Sequence, residues 1–236
     1  MKRYLSFIFI TLVAAAGFKT LGADYKLNVQ NFTELKVTDN INVNYHCSID
    51  SAGWAYFSCS PELSSKLMFT NDKACLHIQV ASDGEILEGL PTLHVYSNTL
   101  TKAVNDSDST LRVCGKLMVP SFKAQVVGNG TLVVDNIEAS YVEAAITTGK
   151  GHIVFSNGTA AKAKLSNVGT GPLEAGKLDA KDVKVTLFGT GDVDCSATEK
   201  ITIYGAGSGK IYYKGNPAKV VNRSLGIKAI AIDKTE

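Results

Sequence analysis

The residues of this 236-residue chain that invite a chemical reading lie mostly in its C-terminal half. Gly205-Ala206-Gly207-Ser208-Gly209-Lys210 evokes a phosphate-cradling loop. A Walker loop follows the pattern G-x-x-x-x-G-K-[ST]. Here Tyr204 occupies the first-glycine position and Ile211 follows the lysine. The dinucleotide pattern fails too, because Lys210 stands at its third glycine and no strand–helix–strand context surrounds it. Asp192 and Asp194 could offer oxygens to calcium, which takes about six to eight of them. Calcium-binding β-rolls repeat such acids in nonapeptides, whereas this pair stands alone and reads as two solvated carboxylates. Glycoside hydrolysis needs carboxylates facing each other across a bond, and a lyase needs a base, often with an arginine. Only Arg112 and Arg223 follow residue 23, and the acids do not recur at a regular spacing. His46, His77 and His94 alternate outward from predicted strands and His152 follows a glycine, so each reads as an isolated surface residue. Neither His-Glu-x-x-His nor Gly-x-Ser-x-Gly occurs. No catalytic set, metal site or cofactor is predicted. Tyr204 and Tyr212, beside Lys210 and Lys214, form the candidate ligand-binding group, since aromatic rings next to polar groups can stack on sugars. Plain packing at strand ends is the alternative.

The element that must position these residues is a repeat. A Gly-x-Gly step occurs at Gly128–Gly130, Gly149–Gly151, Gly169–Gly171, Gly189–Gly191 and Gly207–Gly209, with successive offsets of 21, 20, 20 and 18 residues. A period near 20 signals stacked repeats. Short apolar alternations flank each step: Val183, Val185 and Leu187 before Gly189, Val193 and Cys195 after Gly191, Ile201 and Ile203 before Gly207, and Ile211 and Tyr213 after Gly209. Alternation with period two is the strand signal. Glycine turns the corners through positive φ. Stacked turns set like strands at roughly 4.8 Å, and only a stack buries the inner face. The fold predicted is all-β: a single-stranded right-handed parallel β-helix with an N-terminal β cap.

The repeated Gly-x-Gly-hydrophobic steps resemble those of the bacterial GIN domain family of auto-transporter adhesin heads. The resemblance is clearest at Phe188-Gly189-Thr190-Gly191-Asp192-Val193 and at Gly207 to Pro217, with Phe32-Thr33-Glu34-Leu35-Lys36-Val37 fitting its opening. It covers about residues 30 to 230 and implies a β-helix with an adhesin-like role. The second and third steps depart from the commoner Gly-Ser-Gly-Asp form, so no role for that acid carries over to them.

Lys2 and Arg3, the apolar run from Tyr4 to Phe18 and the small-residue site Leu21-Gly22-Ala23 read as a secretory signal peptide over residues 1–23. An uncleaved anchor is the alternative, against which Lys19 and the short run count. No cysteine follows the cleavage site to take a lipid. Residues 24–236 then form one β-helix domain, with 24–105 as irregular opening turns and cap and 106–236 as glycine-cornered rungs. A separate small sandwich is the other reading of the first part. The net charge is +2 with acids and bases interspersed, which gives no electrostatic case for nucleic acid or anionic membranes.

The five cysteines leave at least one without an intrachain partner. Cys47 and Cys59 both fall on apolar faces, flanking the turn Asp50-Ser51-Ala52-Gly53. Paired as a hairpin they could form a disulfide stabilising by roughly 2–3 kcal/mol; two buried thiols is the alternative. Cys75, Cys114 and Cys195 are too scattered for zinc. Ser60-Pro61-Glu62 predicts one short helix toward Met68. The function expected is an exported, non-enzymatic envelope protein, periplasmic, on the outer surface or secreted, binding glycan or a surface protein. A carbohydrate-active enzyme on the same scaffold and an end-to-end stacking module are the alternatives.

Overall fold

The computed structural model describes residues 11–12, 22–82, 84 and 87–232; the predicted leader lies outside the described residues apart from 11–12 and 22–23. Strands come first as β1 (Thr11–Leu12), β2 (Ala23–Asn28), β3 (Glu34–Thr38), β4 (Val43–Cys47) and β5 (Trp54–Cys59). The helix α1 (Pro61–Lys66) follows, then β6 (Leu67–Asp72), β7 (Cys75–Val80), β8 (Leu93–Ser97) and β9 (Lys102–Asp106). The regular part holds β10 (Thr110–Val126), β11 (Thr131–Ile146), β12 (His152–Phe155), β13 (Gly158–Asn167) and β14 (Leu173–Gly189). It continues through β15 (Val193–Gly207), β16 (Lys210–Lys214), β17 (Lys219–Leu225) and β18 (Lys228–Ala231). These join into parallel stacked coils, a β-solenoid of about six turns.

Each regular coil has three sides. In β10, Leu111 and Val113 point inward on the first, Leu117 and Val119 on the second, and Phe122, Ala124 and Val126 on the third. The Gly-x-Gly corner then leads back to the first side one coil on. Parallel register stacks like residues. Leu111, Leu132, Ile153, Leu173, Val193 and Ile211 form one inward ladder on the first side. Ala124, Ala144, Leu165, Val185 and Ile203 form another on the third. All are at most 1 % exposed, so each Leu, Ile or Val contributes roughly 1.5–3 kcal/mol of burial. The core is one continuous cluster from Tyr25 to Ile227.

The corners correct one expectation. Positive φ does serve the first glycine at Gly128 (98°) and Gly149 (75°). The second glycine is required by stacking instead. A Cβ on Gly171 would collide with the carbonyl of Gly151 and the backbone of Lys150. Two buried asparagines brace corners from within. Asn167 donates to the Gly171 carbonyl at 2.9 Å and accepts from the Gly169 N–H at 3.0 Å. Asn105 donates to the carbonyls of Ser109 and Thr131, both at 2.8 Å.

The N-terminal part continues the same stack. On the third side β3 pairs in parallel with β9, and β9 with the end of β10. On the first side β4 pairs in parallel with both β10 and β8. Beyond β8 the order turns antiparallel, through β5 to β2, while β6 and β7 form an antiparallel hairpin on the third side. Helix α1 begins where the sequence predicts, with Ser60 Oγ accepting from the Leu63 N–H at 3.3 Å.

The hairpin expected between the two cysteine-bearing strands does not form, because β8 lies between β4 and β5. Cys47 sits at the end of β4 beside Ser97, exposed, with its thiol 3.4 Å from the Asn98 carbonyl. Cys59 sits at the far end of β5, opposite Ala23, buried. Both are free thiols.

Candidate functional site

On the first side of the N-terminal part, alternation sends a row of rings outward. Burying Ala55 and Phe57 turns Trp54 and Tyr56 out. Burying Leu93 and Val95 does the same for His94 and Tyr96, and burying Val43 and Tyr45 for Asn44 and His46. The strand order β2–β5–β8–β4 then brings them together. Tyr56 lies opposite His94 and Trp54 opposite Tyr96 across β5 and β8. His46 lies opposite Tyr96, and Asn44 opposite His94, across β8 and β4.

The rings touch. His46 stacks on Tyr96 with centroids 4.8 Å apart and on His94 at 5.3 Å. Tyr56 meets Tyr96 edge to face at 5.4 Å. From β2, the Lys26 ammonium lies 4.3 Å from the Trp54 ring centroid and 5.5 Å from that of Tyr56. His46 Nε2 and His94 Nδ1 are 3.1 Å apart, so one ring donates and the other accepts. Next to this row, Arg112 pairs with Asp135 at 2.7 Å.

Burial, and then the neighbouring His94, holds the His46 imidazole below its ordinary range, with Asp135 pulling the other way. Burial, then Tyr56 and Cys114, pushes the Tyr96 phenol up, so its hydroxyl stays protonated. A half-buried strip of rings with hydroxyl and imidazole edges and one cation at its rim can stack on the C–H face of a sugar while hydrogen-bonding its hydroxyls.

The histidines are therefore not isolated, as the sequence reading had them. His46 and His94 pair with each other; His77 Nε2 lies 3.1 Å from Thr38 Oγ1, and His152 Nε2 lies 3.0 Å from Glu174 Oε1. The signal for Trp54 and Tyr96 is the alternation in Trp54-Ala55-Tyr56-Phe57 and Leu93-His94-Val95-Tyr96, which turns both rings outward.

The four residues singled out from the sequence do not form one site. Tyr204 faces outward on the third side, with the Lys184 ammonium 5.0 Å from its ring centroid. Tyr212 lies on the first side, in register with Asp194 and Ile230. The Lys210 N–H donates to Asp192 Oδ1 at 2.8 Å, so that carboxylate braces a corner. Lys214 acts on Asp194, whose carboxyl is raised by burial, lowered by Lys214 and raised by Glu174. No group of three or more His, Cys, Asp or Glu side chains that could hold a metal occurs among the described residues. Among them, too, no helix is long and apolar enough to cross a membrane.

Fold and surface together define a class: a β-solenoid that displays side chains from stacked strands on flat outer faces. The chain belongs to the family described as "Putative auto-transporter adhesin, head GIN domain", which matches residues 31–217. Among solved structures it is similar to a putative adhesin from Bacteroides fragilis NCTC 9343, at 21% identity and TM-score 0.78, covering 92% of this chain and 97% of that one. A putative adhesin from Parabacteroides distasonis ATCC 8503 gives 22% identity and TM-score 0.72, covering 89% and 95%. A protein from the same strain described as a putative lipid binding protein gives 15% and 0.65, covering 89% and 96%. At these identities the likeness shows the fold alone. No curated protein matches the chain.

Proposed function

We propose that this chain is a non-enzymatic adhesin-like protein of the cell envelope that binds glycan through the platform of Trp54, Tyr56, Tyr96, His94 and His46. The observation that carries the reading is the contiguity of these outward rings over three adjacent strands. Aromatic side chains on a rigid sheet lose little entropy on binding and present broad faces. Export is supported by Lys2, Arg3 and the apolar run after them, and a surface role by the family's description. The end-to-end stacking alternative is disfavoured by the C-terminal edge, where Lys219, Arg223 and Lys228 place charge on the last strands.

The test is a glycan array probed with residues 24–236, wild type and Trp54→Ala. Saturable binding to a glycan subset that Trp54→Ala weakens about tenfold or more supports the reading. A blank array, or hits that Trp54→Ala leaves unchanged, removes it.

A further inference from the structure

The interspersed charges of the sequence separate in space on the third side of the regular part. A shallow groove of about 470 Å³ runs across β11, β13, β14, β15 and β17 there. Six cations line it, Lys162, Lys164, Lys184, Lys200, Lys219 and Arg223, against one acid, Asp182. Register explains the clustering. Lys162, Asp182, Lys200 and Lys219 form one outward column, and Lys164 and Lys184 stand in the next. Tyr204 and Arg223 follow in a third. Lys162 and Lys219 are three rungs apart, roughly 14 Å at ordinary strand spacing. Lys164 is partly neutralised by Glu143 at 3.3 Å. Among the described residues, Lys162, Lys184, Lys200, Lys219 and Arg223 make no ion pair.

Unpaired like charges one to three rungs apart repel each other, and a polyanion laid along them relieves that repulsion while releasing its counterions. We propose that this groove binds an extended acidic polysaccharide, carrying carboxylate or sulfate groups, that lies along the solenoid axis. The rung spacing is close to the length of one pyranose along an extended chain, so anionic sugars can meet Lys200 and Lys219 on adjacent rungs, while Lys184 offers a cation beside Asp182 on the rung before them. A bilayer has no repeat along the solenoid axis to match the rungs, and vesicles enter the experiment as the contrary outcome. Single-stranded nucleic acid relies on free aromatic faces for stacking. Here Lys184 already lies over the face of Tyr204. The groove is on a different side from the aromatic platform, and the inference does not depend on the platform's ligand.

The experiment measures binding of residues 24–236 to polygalacturonate, chondroitin sulfate, neutral dextran, single-stranded oligothymidylate and phosphatidylglycerol vesicles. The expected result is binding to one of the two acidic polysaccharides and none to dextran, weakening on the order of tenfold as salt rises from about 50 to about 200 mM. The double variant Lys200→Glu/Lys219→Glu should abolish it, and Trp54→Ala should leave it intact. Lys200 and Lys219 carry exposed side chains, and circular dichroism verifies the fold of each variant. Binding that charge reversal does not change, equal binding to dextran, or tighter binding to oligothymidylate or vesicles overturns the proposal.

Discussion

The platform and the groove recruit their residues in opposite ways. On the platform, Tyr56 faces His94 and His46 faces Tyr96, partners 38 and 50 residues apart in the chain. In the groove, the column Lys162, Asp182, Lys200, Lys219 advances by 20, 18 and 19 residues. The first surface rests on chain reversals, with β8 inserted between β4 and β5. The second follows from one repeated coil. Register in a repeat makes surface composition a matter of position modulo about 20, so a charge cluster can form from modest substitutions in successive coils. The irregular part fixes each neighbour separately and can assemble a denser set of rings.

The sharpest way to break this contrast is at the corners. Gly171→Ala forces a Cβ into the backbone of Gly151 and Lys150, which cannot yield without parting two coils. It should destabilise by about 3 kcal/mol, seen in urea unfolding. One coil before the first Gly-x-Gly step, the equivalent corner is Ser107-Asp108-Ser109, held by side chains. There Ser107→Ala loses the hydrogen bond donated to Asn105 Oδ1 at 2.6 Å and the one accepted from the Ser109 N–H at 3.1 Å, costing about 1 kcal/mol. Equal losses at the two sites would refute the view that close stacking governs the regular corners.

That division also explains what the sequence disclosed. The solenoid was legible because glycine spacing and strand alternation are local signals. Alternation made most inward and outward positions legible for the same reason, including the outward His46 and His94, although Cys47, expected on an apolar face, is exposed at the end of β4. Their adjacency was not, since it depends on β8 lying between β4 and β5, a choice made by packing of Tyr45, Ala55 and Val95 in the core. The lysine column was readable from the period once the register was known. Net charge hides it, because +2 averages over faces that the fold keeps apart.

A smaller effect separates the two surfaces by their ligands. Trp54→Ala should reduce affinity for a platform glycan about tenfold, on the order of 1.4 kcal/mol, with no change in retention on a polyanion. Titration calorimetry with both ligands tests the separation, and a loss in both would merge the two regions into one site. Acid should divide them further. His46 is held below the ordinary imidazole range by burial and His94. The folded state therefore binds this proton less well than the unfolded state, so the associated stability is present above about pH 6.5 and declines as pH falls below it. Glycan affinity should weaken between about pH 7 and pH 5 as the His46 imidazole takes up a proton and its hydrogen bond to His94 is disturbed. Groove binding, carried by lysine and arginine, should hold over that range, and parallel decline would count against the assignment.

The smallest expected effect lies in the regular part, at Asp194. Its carboxylate packs over Gly176, where β15 omits residues that β14 contains: the register moves from Ala175 opposite Cys195 to Asp179 opposite Ser196. One oxygen, Oδ1, is buried without a hydrogen-bond partner. Burial raises the carboxyl above its ordinary value, Lys214 partly offsets this, and Glu174 adds to it. Here the folded state holds the proton more tightly than the unfolded one. Ionisation thus penalises folding once pH exceeds about 3.9, and the penalty is complete above the raised folded value. Asp194→Asn keeps an acceptor for the Cys195 N–H and removes the charge. It should stabilise the protein at pH 7 by on the order of 0.5 kcal/mol, an advantage that shrinks toward pH 4. Thermal unfolding of both proteins across that range measures it. A constant difference would mean that the carboxylate is not strained by burial, and a destabilised variant at pH 7 would mean that its attraction to Lys214 outweighs the desolvation.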